Sequence, residues 1–284
     1  MQHVLCCKFN TSVPLLARAG GWTYIDNSDM QLFDTHAHLY LSDFDSDIDE
    51  TLERAKVKGV DNIILPNIDK NSIAPLMALC GKYPNLLHPA MGLHPSDVKE
   101  DFEQQLALIK QELDRGKCVA VGEIGIDLYW DKTFISQQVE ALKIQLQWAV
   151  DKDLPVILHV RDAFDEIFTV LEEFEKSNIR GVFHCFSGNK YQAKKAVGMG
   201  FYLGIGGVLT YKKNNICDAV KGVPLERIVL ETDAPFLTPV PNRGKRNESA
   251  NVFFVAKRMS EERGITIEEV AKQTTKNACE LFGL

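Results

Sequence analysis

Residues 156–160 read Val156-Ile157-Leu158-His159-Val160, and a helical pattern follows at Phe164–Lys176. A short apolar run without alternation is typical of a parallel strand that is buried on both faces. The same unit recurs along the chain, and the other strands are expected at Leu32–His36, Asn62–Pro66, Leu86–Met91, Val119–Glu123, Gly181–His184, Phe201–Gly204 and Ile228–Glu231. This alternation of strands and helices predicts an α/β fold, a single (β/α)8 TIM barrel with its active site at the C-terminal ends of the strands.

The size and charge of the chain limit the classes of protein to consider. It has 284 residues, of which 45% are hydrophobic and 25% charged, and a formal net charge of -7. One barrel domain of about 250 residues accommodates this length. A protein that binds nucleic acid through its bulk charge would be basic. A phosphate-bearing substrate would therefore need a local attraction, which bound metal ions can supply.

The barrel domain is expected to span residues 30–284. Residues 1–29 show no periodicity, and their apolar stretch Val4-Leu5-Cys6-Cys7 is too short for the core of a signal peptide. They are expected to form a disordered N-terminal arm or an over-extended start ahead of Met30. No apolar stretch approaches the length that spans a bilayer, so no membrane association is expected.

The cysteines indicate a reducing compartment. There are seven of them, an odd number, and no C-x-x-C pair occurs. This pattern predicts reduced thiols in a cytoplasmic protein. A catalytic thiol would need a neighbouring base, and Cys185 does follow His184. Neighbours in a strand point to opposite faces, so these two side chains are not expected to cooperate.

Polar residues that could bind metals or take part in catalysis stand at the ends of the predicted strands. They are His36 and His38 after the first strand, Glu123 in the fourth, His159 in the fifth, His184 in the sixth and Asp233 after the eighth. His36 and His38 are two residues apart, so their side chains should point the same way. In a barrel the C-terminal ends of the strands meet at one rim. We therefore expect all six side chains to converge.

The types of these residues indicate a metal centre. Imidazole and carboxylate groups bind divalent metals, and six ligands exceed what a single catalytic zinc ion uses. A single buried histidine is more often a hydrogen-bonded core residue. Several unpaired polar groups buried together, however, would be costly without a partner. The sequence therefore predicts two divalent ions (Mg, Mn or Zn), an arrangement that is usual for the cleavage of phosphate esters.

Several segments, in order from about residue 32 to the end, resemble the TatD family of metal-dependent deoxyribonucleases, within the amidohydrolase-like barrel hydrolases. The matching segments are Phe33-Asp34-Thr35-His36-Ala37-His38-Leu39, Gly92-Leu93-His94-Pro95, Val121-Gly122-Glu123-Ile124-Gly125-Ile126-Asp127, His159-Val160-Arg161, His184-Cys185-Phe186-Ser187-Gly188, residues 231–239, 242–248 and 275–282. Two departures stand in the loop after the eighth strand: Asn242 replaces an expected tyrosine, and Ser249 replaces an expected proline.

The resemblance implies a role for each site residue. His36, His38 and Asp233 would hold one metal, His159 and His184 would hold the other, and Glu123 would bridge the two. Asp233 and Glu123 are the expected catalytic residues, and Asp233 would orient or deprotonate the attacking water. The residues expected to bind the phosphates of the substrate are His94, Arg161, Arg243 and Arg246.

The resemblance also implies an activity: hydrolysis of DNA phosphodiester bonds, as a 3′–5′ exodeoxyribonuclease that prefers single strands. DNA would be the substrate, RNA a second one, and the protein a monomer. Two other functions stay open. One is hydrolysis of a small ester, lactone or amide, and the other is deacylation of aminoacyl-tRNA. The basic loop with Arg243, Lys245 and Arg246 favours a polymer that carries phosphate.

Overall fold

The computed structural model describes residues 30–284. Eight strands alternate with helices along this part of the chain. The strands are β1 (Leu32–Asp34), β2 (Val60–Pro66), β3 (Leu87–Ala90), β4 (Val121–Asp127), β5 (Val156–Arg161), β6 (Gly181–Phe183), β7 (Tyr202–Ile205) and β8 (Ile228–Leu230). The helices are α1 (Ile48–Val57), α2 (Ile73–Lys82), α3 (Phe102–Leu113), α4 (Ile135–Lys152), α5 (Phe164–Glu173), α6 (Lys190–Gly198), α7 (Ile216–Val220), α8 (Val252–Arg263) and α9 (Ile267–Phe282).

The strands close into a barrel. All the strand pairs are parallel, in the orders β1-β2-β3 and β4-β5-β6-β7-β8. A bridge between Ala90 and Ala120 joins the first group to the second, and a bridge between Ala37 and Ala234 joins the two outer strands. The predicted (β/α)8 TIM barrel is therefore confirmed.

One layer of side chains fills the barrel and is sealed by the last helix. The layer consists of Phe33, Ile64, Ala90, Ala120, Ile157, Val182 and Val229, and it packs against Ala278, Leu281 and Phe282 of α9. Asn277 of α9 donates hydrogen bonds to the backbone oxygens of Leu225 and Ile228, at the start of β8. The N-terminal cap of α9 is a capping box formed by Thr266 and Glu269. Helix α9 thus covers the N-terminal end of the barrel and leaves the C-terminal rim open.

Most element boundaries agree with the sequence-based expectation within two or three residues, but β4 does not. It was expected to end at Glu123 and continues to Asp127. The two acidic residues of β4, Glu123 and Asp127, are both buried and both line the cavity at the C-terminal rim. Gly125 also has a left-handed φ of 153°, and a Cβ there would lie 1.9 Å from the backbone oxygen of His159. The close approach of β4 to β5 therefore requires glycine at this position.

Two further expectations concern segments outside the barrel strands. The expectation for residues 1–29 lies outside the described residues. Among residues 30–284, no helix combines the length and the apolar character that crossing a membrane requires.

Candidate metal centre

The first two histidines lie together at the end of β1. His36 and His38 follow the strand, and their Nε2 atoms lie 3.1 Å apart. The backbone holds them there, because the N–H of Ala37 donates to Ile64 and the N–H of His38 donates to Ala234. Both imidazoles are buried, at 0% and 4% exposure. The expected common direction of the two side chains is what the structure shows.

Glu123 occupies the middle of the cluster. Its Oε2 lies 3.2 Å from Nε2 of His36, and its Oε1 lies 2.9 Å from Nδ1 of His159 and 3.4 Å from Nε2 of His94. Burial raises the pKa of Glu123, but the imidazoles of His94, His36 and His184 outweigh it and hold that pKa well below its ordinary value. The carboxylate therefore stays ionised and presents one oxygen to each side of the cluster.

Asp233 closes the cluster from the end of β8. Its Oδ1 lies 3.8 Å from Nε2 of His36, 3.7 Å from Nε2 of His38 and 3.9 Å from Nε2 of His184. The residue has a left-handed φ of 57°, a conformation that aspartate adopts more readily than most residues. Asn247 fixes the turn, since its amide donates to the backbone oxygens of Thr232 and Phe236. Burial raises the pKa of Asp233 to about 7.

Three side chains that the sequence analysis did not single out contact the ring nitrogens on the far side of the histidines. Nδ1 of His184 lies 3.0 Å from Glu231, Nε2 of His159 lies 3.0 Å from Asp127, and Nδ1 of His38 lies 2.9 Å from the hydroxyl of Tyr40. Such partners fix the tautomer and direct the remaining nitrogen toward a metal. Asp127 was missed because β4 was predicted too short. Glu231 stood in a quoted motif, and no spacing rule marked it.

The donor atoms fit divalent cations. Among the described residues, four groups have ligand atoms that all lie within 4.8 Å of one another: His36 with Glu123 and His184, His36 with His38 and Asp233, His94 with Glu123 and His159, and His184 with Cys185 and Glu231. Nitrogen and oxygen donors of this kind suit zinc and the other divalent transition metals. Burial lowers the pKa of His184, but the carboxylates of Glu231 and Glu123 outweigh it and raise that pKa to about 10. The same negative charges would stabilise a bound cation.

The grouping agrees in part with the roles that the resemblance implies. His36, His38 and Asp233 form one of the groups, as expected for the first metal. His159 and His184, expected to share the second metal, belong to different groups among the described residues. His94, expected to contact phosphate, lines the cavity beside His159, with its Nε2 3.2 Å from Nδ1 of that residue.

The cluster forms the floor of a cavity of about 610 Å³. The polar residues that line it include His38, His94, Glu123, His159, Arg161, His184, Cys185 and Asp233, and the apolar ones include Ile68, Trp130, Phe236 and Leu237. Arg161, expected to bind phosphate, lines the cavity together with His159, two residues before it in β5. Its guanidinium packs 3.8 Å from the ring centre of Tyr129.

The two other arginines make different contacts from those expected. Arg246 donates to both carboxylate oxygens of Asp47, at 2.7 and 2.8 Å, and its guanidinium lies 4.4 Å from the ring centre of Phe44. Arg243 lies 4.0 Å from the ring centre of Tyr211. In the described part of the chain, neither arginine lines the cavity. Arg246 therefore fastens the loop after β8 to α1 in this structure, in place of the phosphate contact expected for it.

Cys185 corrects another expectation. Its side chain was expected to point away from the face of His184, yet both residues line the cavity. The physical reason is that β6 ends at Phe183 and Cys185 takes a left-handed φ of 43°, so strand alternation no longer applies. Its backbone N–H donates to Glu231 at 2.6 Å. Burial raises the pKa of the Cys185 thiol well above its ordinary value, which leaves it a poor nucleophile.

Comparison with known proteins assigns the chain to a family. The family model described as TatD related DNase matches residues 33–283. The metal-dependent hydrolase YabD of Bacillus subtilis is 40% identical over 252 residues, which cover 88% of this chain and 98% of YabD. The metal-dependent hydrolase YcfH of Escherichia coli is 33% identical over 257 residues, covering 89% of this chain and 96% of YcfH.

Solved structures agree with this assignment. The crystal structure of YjjV, a TatD homolog from Escherichia coli, superposes with a TM-score of 0.84 at 34% identity, covering 89% of this chain and 98% of that chain. A TatD family hydrolase from Entamoeba histolytica, at 23% identity and a TM-score of 0.76 over 89% of this chain and 98% of that one, shares the fold. The chain is therefore a metal-dependent hydrolase that belongs to the TatD-related DNase family.

Proposed function

We propose that this protein hydrolyses phosphodiester bonds of DNA as a 3′–5′ exodeoxyribonuclease that prefers single strands and uses two divalent metal ions (Mg, Mn or Zn). The observation that carries the proposal is the position of Glu123. One of its oxygens faces His36, and the other faces His159, on the opposite side of the cluster. A carboxylate shared in this way suits a pair of ions, and such pairs stabilise both the attacking and the leaving oxygen of a phosphate ester.

The proposal assigns the ligand residues to the two ions and a proton acceptor to the attacking water. His36, His38 and Asp233 would hold the first ion, and Glu123, His159 and His184 would supply donors for the second, with His94 beside His159 as a further donor. Two bound ions would lower the pKa of a water molecule and neutralise charge on the phosphate. Asp233 has a carboxylate at the end of β8 that faces the cavity, and its Oδ accepts the proton of the attacking water.

Arg161 binds the phosphate in this proposal. Its side chain lines the cavity beside His159, and a guanidinium donates two parallel hydrogen bonds to phosphate oxygens. The packing of its planar group on Tyr129 limits the rotamers that it samples. The guanidinium is therefore oriented before the substrate arrives, which reduces the entropic cost of binding.

The shape of the site favours a strand end without a base-paired partner. A cavity of about 610 Å³ has the volume of a site for one small ligand. One or two nucleotides match such a volume, which is why the proposal favours an unpaired strand end. The polarity of attack, from the 3′ end, rests on the family resemblance.

Two other activities share the same metal centre, namely hydrolysis of a small ester, lactone or amide and deacylation of aminoacyl-tRNA. Arg161 favours a substrate with phosphate close to the scissile bond, which DNA and RNA offer. RNA is therefore proposed as a second substrate. A cytoplasmic location and a monomeric state complete the proposal, the former because the cysteines of the described chain are free thiols.

One experiment compares the candidate substrates directly. The purified protein is supplied with Mg or Mn and offered single-stranded DNA, double-stranded DNA, RNA, an aminoacyl-tRNA and a phenyl ester under identical conditions. The proposal requires the highest kcat/KM for single-stranded DNA, with mononucleotides released from the 3′ end. Faster turnover of the ester or of the aminoacyl bond would overturn it.

A further inference from the structure

Exposed aromatic side chains are gathered at the mouth of the cavity. Tyr129 and Trp130 follow β4 directly and are 53% and 72% exposed, and Phe236, after β8, is 52% exposed. Trp130 and Phe236 both line the cavity above the metal centre. Single exposed apolar residues are normal on a protein surface, but a group of them around a cavity marks a site that binds a ligand.

The position of Trp130 is fixed relative to the metal centre. Oδ1 of Asp127 accepts hydrogen bonds from the backbone N–H groups of Tyr129, at 2.9 Å, and Trp130, at 3.4 Å. The other oxygen of the same carboxylate lies 3.0 Å from Nε2 of His159. One buried side chain therefore holds both the aromatic turn and a metal-binding histidine. The backbone of Trp130 is thus held at a defined place, and its ring is exposed above it.

Arg161 joins this surface to the phosphate-binding position. Its guanidinium lies 3.8 Å from the ring centre of Tyr129 and 5.2 Å from that of Trp130. A phosphate bound by Arg161 would carry its nucleoside at the level of these rings. Proteins bind single-stranded nucleic acids with a cation that contacts the phosphate backbone and an aromatic ring that stacks on a base. Arg161 and Trp130 lie close enough to act in this way.

The net negative charge of the protein opposes the binding of DNA phosphates, so contacts with the bases would add to the affinity. The net charge is -7, and Arg246 is engaged by Asp47. In the described part of the chain, Arg161 lines the cavity, whereas Arg243 and Arg246 do not. A contact that is not ionic would add to the attraction that the metal centre and Arg161 provide, and the apolar mouth of the cavity supplies such a contact.

We propose that Trp130 stacks on a nucleobase next to the scissile phosphate, with Phe236 as the facing wall of that subsite. The inference rests on the proposed function and specifies how the strand is bound. In a duplex, pairing holds a base next to the scissile phosphate in the stack, whereas an unpaired base can leave the stack and lay its face on Trp130. Stacking on an aromatic ring accepts any base, so the subsite selects unpaired ends without selecting a sequence.

The test combines a variant of the protein with a variant of the substrate. The wild type, Trp130→Ala and Trp130→Phe are assayed on a single-stranded oligonucleotide and on one whose two 3′-terminal nucleosides are replaced by base-free sugar analogues. The matched control is Tyr191→Ala, which removes an aromatic ring that is 74% exposed and lies outside the residues lining the cavity. Trp130 is also largely exposed, so its replacement should leave the fold intact.

Trp130→Ala should lower kcat/KM on the normal oligonucleotide by roughly 5- to 150-fold, the effect of losing one stacked base, mostly through a higher KM. Trp130→Phe should recover much of the loss, and Tyr191→Ala should match the wild type. On the base-free end the ratio of wild type to Trp130→Ala should fall to near one. Equal losses on both oligonucleotides would overturn the stacking subsite while leaving the nuclease proposal standing. A wild type that cleaves neither oligonucleotide would overturn both.

Discussion

Nδ1 of His184 lies 3.0 Å from Oε1 of Glu231, and both side chains are almost completely buried. The carboxylate of Glu231 contacts Nδ1 of the ring. The other nitrogen, Nε2 of His184, faces the cluster and lies 3.8 Å from Oε1 of Glu123. Because Glu231 also accepts the backbone N–H of Cys185, it fixes the orientation of the ring and the turn that carries it. His184 is therefore positioned by a residue that does not itself line the cavity.

Glu231→Gln should weaken metal binding by about 10- to 100-fold, because the ring loses the charged partner that sets its tautomer and raises its basicity. The measurement is the metal dissociation constant from titration of the chelator-treated protein. Glu172→Gln, on the exposed surface of α5, serves as the control. Unchanged metal affinity in Glu231→Gln would show that the contact with His184 is structural only.

Asp233→Asn should lower kcat by at least about 100-fold, with a smaller change in KM, because the amide cannot accept the proton of the attacking water. Asparagine also tolerates the left-handed φ of 57° at this position, so the turn should be retained. Steady-state kinetics on single-stranded DNA, with circular dichroism to verify folding, give the answer. A variant that turns over as fast as the wild type would remove Asp233 from the chemistry.

Arg161→Ala and Arg246→Ala should have different effects. The first should raise KM for an oligonucleotide about tenfold, the value of one charge-assisted contact to phosphate. The second should leave KM unchanged and lower the stability of the fold by about 1 kcal/mol, since it removes a partly exposed ion pair and a contact with the ring of Phe44. A raised KM in Arg246→Ala would instead indicate that Arg246 contacts phosphate, as the sequence led us to expect.

The stability difference for Arg246→Ala should depend on pH. The Arg246 guanidinium holds the pKa of Asp47 far below its ordinary value. A carboxyl with a depressed pKa in the folded state stabilises the fold above its unfolded pKa, about 4, and that contribution is lost as the pH falls. Because the folded pKa lies far below 4, most of this contribution is lost only in strong acid, and chemical unfolding at pH 7 should show a larger difference between variant and wild type than unfolding near pH 2. An equal difference at both values would assign the effect to packing.

Alkylation of the native protein should leave two thiols unmodified. Burial raises the pKa of Cys80 and of Cys118 to about 12, so neither is ionised at neutral pH. Iodoacetamide should therefore modify them only after unfolding. Mass spectrometry of native and denatured samples makes the comparison, and rapid labelling of either residue in the native state would contradict the structure.

The fold was predictable because the chain repeats one pattern. Apolar runs such as Val156–Val160 are buried on both faces, and only a parallel sheet covered by helices accommodates a series of them. The residues whose side chains meet at the metal centre were predictable for a related reason. A barrel brings the ends of distant strands to one rim, so His36, Glu123 and Asp233 could be placed together without coordinates.

The supporting residues could not be predicted, because their roles depend on distances that no periodicity encodes. Asp127 contacts His159 only because β4 continues past Gly125. Arg246 was expected to contact phosphate since a basic loop resembles a binding surface in sequence. Its partner Asp47 is 199 positions away along the chain, and nothing local in the sequence marks the pair.

The most direct test of the central claim is a metal titration of the chelator-treated protein, with hydrolysis of single-stranded DNA and bound metal measured in the same samples. The account predicts no hydrolysis without metal, saturation at two ions per chain, and full activity only as the second ion binds. The double variant His36→Ala with His38→Ala should stay folded, bind less metal and be inactive. Hydrolysis that persists after chelation, or a double variant with wild-type turnover, would contradict a two-metal centre built on these residues.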